Sequence, residues 1–234
     1  MKAIDQFEQL EQGIWGIIKA ADVYLICLVA ELRREQPALE LIHKILSGNT
    51  VSTLTLVSTT CTTQERDQLI QKGHVQAIAG QIVLATYTAL EIYLAEKFRE
   101  YFRFSAKRIH ADRALDKFSY RSLDNIKDLF RNVLGIHLPL FEIDRITVDS
   151  NSSFKPSTSW EGIKDIEKAR HDIAHQGSAS ITRIALLPDA WDRFDFARRW
   201  LSLFDTNFDF LVYEARDTHL IRSYKERISN QVKS

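Results

Sequence analysis

Between His74 and Phe104 the apolar residues Val83, Tyr87, Leu90, Leu94, Phe98 and Tyr101 follow one another at steps of four, three, four, four and three. At 3.6 residues per turn these steps hold all six on one stripe, so the segment reads as a long helix with one face in a core. A strand would show alternation instead. Little elsewhere would interrupt helices, because 234 residues include only 8 Gly and 4 Pro. Sparse punctuation means long elements and favours helices over a many-turned β sandwich. The expected fold class is all-α in the main, with a short extended segment near 51–58.

Other segments follow the same periodicity. Residues 3–34 read as helical with a break near Gly13, since Ile4, Phe7, Leu10, Ile14, Ile17 and Ile18 recur at helical steps. Pro37 can open a second helix through Ile45, stopped by Ser47-Gly48-Asn49. Val51 to Thr63 is rich in Thr, Val and Ser and reads as a strand or an extended linker. Ser122 is a candidate N-cap for a helix carrying Ile126, Leu129, Phe130, Val133 and Leu134 to Gly135. Residues 147–159 have the composition of a surface loop. Thr158 or Ser159 can cap the next helix, with Trp160, Ile163, Ile166 and Ile173 on one side and Gly177 as its stop. Asp189 opens a last long helix through Leu211. This divides the chain into an N-terminal helical extension (1–60), a main helical domain (74–215) and a polar, basic tail (216–234).

Composition narrows the class. Apolar residues make up 45% and charged residues 26%, an ordinary globular balance rather than a disordered one. Cys27 and Cys61 are too few for a disulfide framework, and Cys27 in an apolar run reads as a buried thiol in a reducing compartment. Asp5, Glu8 and Glu11 replace the basic start of a signal peptide. Lys19 and Asp22 interrupt the most hydrophobic stretch, Ile14 to Ala30, so a soluble cytoplasmic protein without a membrane partner is expected. Formal net charge is zero, so any nucleic-acid affinity must come from local patches. The chain has no Gly-rich phosphate loop, paired-carboxylate metal motif or Gly-x-Ser-x-Gly elbow, which disfavours kinases, Walker-type ATPases and α/β hydrolases.

The segment Glu167-Lys-Ala-Arg-His-Asp-Ile-Ala-His-Gln-Gly177 carries the most chemistry. Arg170 and His175 are separated by about 500° of helical rotation, so they diverge by roughly 140° on a straight helix. They flank a groove rather than meet at one atom, whereas His171 and His175 share a face. A zinc helix of the His-Glu-x-x-His type would have Glu after its first His. Asp172 stands there, and no nearby Cys or His supplies a third ligand, so no metal or cofactor is expected. The structural alternative is that Arg170 pairs with Asp165, Glu167 or Glu91 while His175 ends the helix. Glu91 lies beside the apolar stripe, either at a solvated edge or placed for a purpose. A second feature is a basic stretch containing Arg103, Lys107, Arg108, Arg113, Lys117 and Arg121, with Phe102, Phe104, Phe118 and Tyr120 interleaved. Taken alone it is equally a solvated face with core aromatics; beside the motif it points to RNA, with the aromatics stacking on unpaired bases.

Arg170-His171-Asp172-Ile173-Ala174-His175 resembles the HEPN motif, an Arg followed four to six residues later by His with a polar residue directly after the Arg. The Leu90-Glu91-Ile92-Tyr93-Leu94 helix looks like the first helix of that superfamily, whose acidic residue accompanies the site. Ile126–Ile136 resembles the second, and the Trp160 and Asp189 helices the third and fourth. The likeness covers roughly residues 74–215. It implies a HEPN-like bundle and a homodimeric, metal-independent endoribonuclease with Arg170, His175, His171 and Glu91 at its site, of the kind found in bacterial defence and toxin systems. An antitoxin or other defence protein is then an expected partner besides RNA. A non-catalytic HEPN module that binds RNA or a protein is the rival expectation.

Overall fold

The computed structural model describes residues 2–47, 62–71, 73–103, 113, 115, 122–143, 152–176 and 187–232. Among these residues there are helices and no strand, so the fold is all-α. In chain order the helices are α1 (Ala3–Arg33), α2 (Leu39–Ser47), α3 (Thr63–Gln71), α4 (His74–Arg103), α5 (Leu123–Leu129), α6 (Ser159–Gln176) and α7 (Leu187–Val232). A π turn, Phe130–Leu134, continues α5, and a 3₁₀ turn spans Leu138–Leu140. The extended segment expected near 51–58 lies outside the described residues, and the strand or linker expected to run on to Thr63 gives way there to helix, since Thr63 opens α3.

The helix with the long apolar stripe is the centre of the molecule. α4 packs against α1, α7 and α6, and Val83, Tyr87, Leu90, Leu94 and Phe98 are all buried. α1 joins the same core through Phe7, Ile14, Ile18, Leu25 and Val29, so the N-terminal segment forms one wall of the bundle. α1 runs without a break through Gly13. A mid-helix glycine costs about 1 kcal/mol, while each buried Phe or Ile contributes roughly 1.5–3 kcal/mol, and packing wins. The start of α1 is tied to α4 as well, since Glu100 accepts the Ala3 N–H at 2.9 Å. Ala3–Arg33 and Val75–Phe102 are each long and apolar enough to cross a bilayer by length and composition, with 33% and 56% of the respective apolar windows buried in the bundle. Cys27 is partly exposed rather than fully buried.

α3 has a sequence signal of its own. Thr62-x-x-Glu65 forms a capping box, in which Thr62 Oγ1 accepts the Glu65 N–H at 3.3 Å and Glu65 accepts the Thr62 N–H at 2.8 Å. Arg33 donates two hydrogen bonds to the same carboxylate, at 2.5 and 2.9 Å. Arg33 first, with the Thr62 N–H, holds Glu65 down at about 2.

Two features differ from the periodic reading. Ser122 caps α5 as expected, accepting from Asn125 at 3.3 Å, but the helix widens to a π turn before Gly135. The wider turn takes Val133 off the core stripe, and it is exposed while Phe130 and Leu134 stay buried. Gly135 has φ +75°, and a Cβ there would lie 3.0 Å from the Ala215 Cβ, so both backbone and space call for glycine. At the other end of the chain, the residues set apart as a tail continue α7 as far as Val232.

Candidate functional site

α6 starts on Thr158, whose hydroxyl accepts the Glu161 N–H at 3.2 Å, while Glu161 bonds back to Ser157. Ser159, the alternative cap, instead accepts from the Ile143 N–H at 2.9 Å and donates its own N–H to Glu142 at 2.8 Å, anchoring the preceding chain. Ile163, Ile166 and Ala169 form the buried seam of α6. Gly162 extends it, because a Cβ at that position would lie 2.4 Å from the Phe196 ring of α7. The seam fixes the rotation of α6, and the rotation decides where the motif residues point.

Arg170 falls beside the seam and turns toward α4. Its guanidinium carbon lies 5.3 Å from the centroid of the buried Tyr87 ring. Glu91, one helical turn after Tyr87, is partly buried beside it. Burial raises the Glu91 carboxyl above its ordinary range; the Arg170 charge opposes this and the Glu167 charge adds to it. Burial first, then the charges of Glu91 and Glu167, hold the Tyr87 hydroxyl well above its ordinary range, so it remains neutral. Glu167 in turn accepts the Leu123 N–H at 2.7 Å, at the first turn of α5, and pairs with Lys164. Lys164 also reaches Asp124 at 2.9 Å. Arg170 therefore sits among groups drawn from α4 and α6, with Glu167 bracing α5.

His171 and His175 face the other way. Both are exposed, one turn apart on α6, with ring centroids 4.2 Å apart and planes inclined at 47°. The divergence of Arg170 from His175 expected from helical rotation is what the fold displays. Of the expected site residues, Arg170 and Glu91 are brought together and His171 meets His175. Two further residues, Tyr87 and Glu167, belong to the Arg170 cluster. Tyr87 reads from sequence only as one more member of the apolar stripe, and the signal that could have marked it is a phenol at a core position, which needs a partner for its hydroxyl.

The expected RNA-binding stretch is only partly described. Lys107, Arg108, Lys117 and Arg121 lie outside the described residues, Arg103 closes α4, and Arg113 is exposed. Phe102 packs against Phe98 and Tyr101 at centroid distances of 5.1 and 4.9 Å, within the aromatic cluster rather than as a free stacking platform. Phe104, Phe118 and Tyr120 lie outside the described residues. Among those described, no group of three or more His, Cys, Asp or Glu could hold a metal ion. No protein-family model, curated protein or solved structure matches the chain.

Proposed function

We propose that the protein is a HEPN-like, metal-independent endoribonuclease that works as a homodimer. The observation that carries this reading is the split of one helical segment into an anchored Arg170 and an exposed pair of imidazoles, His171 and His175. RNA cleavage without metal needs a base for the 2′-hydroxyl, an acid for the leaving 5′-oxygen and a fixed positive charge for the phosphorane. Imidazoles serve the first two near neutral pH, and a guanidinium serves the third. His175 is assigned as base, Arg170 as phosphate donor, and His171 or the His175 of a second copy as acid. Tyr87, Glu91 and Glu167 orient Arg170.

One chain directs Arg170 and the histidines to different sides of α6. A two-fold pair of α6 helices would supply both kinds of group to one scissile phosphate. The reading places the protein in the cytoplasm, as a toxin or antiviral effector answering to an antitoxin or another defence protein. The burial of 56% of the apolar α4 window within the bundle is the support for a soluble role, against 33% for the α1 window. The test is incubation of purified protein with total RNA: wild type is expected to cleave and His175→Ala is not. Cleavage by a clearly monomeric species at micromolar concentration would remove the dimer from the proposal.

The rival reading, a non-catalytic HEPN module that binds RNA or a protein, is favoured by one observation. Arg170 already faces the Tyr87 ring, with the Glu91 and Glu167 charges acting on the same cluster, which is also how a purely structural arginine is held. RNA binding by gel shift, with no cleavage by wild type, would select it.

A further inference from the structure

Among the described residues, His171 and His175 contact each other. Among the described residues neither imidazole has another hydrogen-bond, ionic or aromatic partner. Both are exposed, on the solvent side of a helix whose opposite face is locked by Ile163, Ile166 and Ala169. Two histidines four residues apart on a helix are the spacing by which metalloprotease helices hold zinc. At nitrogen–metal distances of about 2.0–2.1 Å, two cis ligands stand roughly 3 Å apart. Rings whose centroids are 4.2 Å apart can reach that by side-chain rotation alone, with no change in the backbone of α6.

We infer that His171 and His175 form a two-point clamp for a borderline divalent ion such as Ni²⁺, Cu²⁺ or Zn²⁺, with water filling the remaining positions. The described residues supply no third ligand, so the ion is exchangeable rather than a structural component. Imidazole donors select these ions over Mg²⁺ and Ca²⁺, which take oxygen ligands. Cu²⁺ binds most tightly of the three, by the general order for nitrogen sites. The ion occupies the nitrogen lone pairs that proton transfer would use. On the proposed nuclease reading, and only there, it is therefore an inhibitor.

The test is calorimetric titration of chelator-stripped protein with Ni²⁺ alone, at pH 7.5, for wild type, His171→Gln and His175→Gln. Both substitutions are at exposed positions, and circular dichroism confirms that the variants fold. A one-to-one binding event is expected in wild type and is expected to be lost in each single variant. Persistence of that event in either single variant, or its absence from wild type, overturns the clamp. A separate arm adds Ni²⁺ to the RNA cleavage assay, where inhibition reversed by EDTA is expected. If wild type cleaves no RNA, the nuclease reading fails while the titration still decides the metal site. If wild type cleaves RNA and Ni²⁺ binds without slowing it, the inhibitory role is overturned.

Discussion

The guanidinium carbon of Arg170 lies 5.3 Å from the centroid of the Tyr87 ring, which joins the third-longest helix of the bundle's core to the helix that carries the histidine pair. The contact is across helices, α6 to α4, and places a charged group at the edge of the apolar seam. A cation over an aromatic face is worth roughly 0.5–2 kcal/mol, enough to hold one rotamer of a long side chain.

Arg170→Lys keeps the charge but loses the planar fork, so RNA cleavage is expected to fall sharply. Tyr87→Phe keeps the ring beneath the guanidinium and should retain more activity than Tyr87→Leu, which removes it. Single-turnover cleavage rates, compared at matched folded fraction, give the order. Equal rates for Tyr87→Phe and Tyr87→Leu would mean that the ring does not position Arg170.

Cleavage is expected to survive EDTA, to leave 2′,3′-cyclic phosphate ends, and to stop when the scissile position carries a 2′-deoxy sugar. Removing a general base typically costs 10²–10⁴-fold, so His175→Ala should lie in that range. Loss of activity on chelation that Mg²⁺ or Zn²⁺ restores points to a metal mechanism and is incompatible with the assignment.

Glu91 offers a pH test that needs no substrate. Burial raises its carboxyl above the ordinary value of 4.5. The folded state therefore binds its proton more tightly than the unfolded chain. The stabilisation from this is fully present below about 4.5 and is lost as pH rises through the folded value. Glu91→Gln does not titrate, so relative to wild type it should be more stable at pH 7 than at pH 4. Thermal melts across that range check the sign. A Gln variant whose relative stability instead worsens toward pH 7 would show that the Arg170 attraction outweighs burial.

Gly162→Ala should destabilise the protein by about 1–3 kcal/mol, the usual cost of overpacking. The new methyl would lie 2.4 Å from the Phe196 ring and 3.0 Å or less from two of its other atoms. Chemical denaturation measures the loss. Because the same contact sets the rotation of α6, the variant should also disturb the Arg170–Tyr87 contact, visible as a changed guanidinium signal in NMR spectra. An unchanged melting midpoint would show that Phe196 moves aside freely.

The sequence alone determined the helices that depend on local signals. The steps from Val83 to Tyr101 define α4, Ser122 and Thr158 mark helix starts, and the five-residue separation of Arg170 from His175 fixes their divergence. These are properties of a chain and its immediate neighbours, which is why they can be read from spacing. Thr62-x-x-Glu65 is a local signal too, but the periodic reading passed over it and took Val51 to Thr63 as a strand or linker, whereas α3 opens at Thr63.

What spacing could not decide are relationships between helices. Gly13 looks like a break until the burial of Phe7, Ile14 and Ile18 against α4 is counted. Val133 looks like a core residue until the π turn rotates it outward. Tyr87 and Glu167 lie 80 positions apart in the chain, and only the docking of α6 on α4 brings them together around Arg170. The Gly162–Phe196 contact sets that docking, and close packing between distant segments is a property no local pattern encodes.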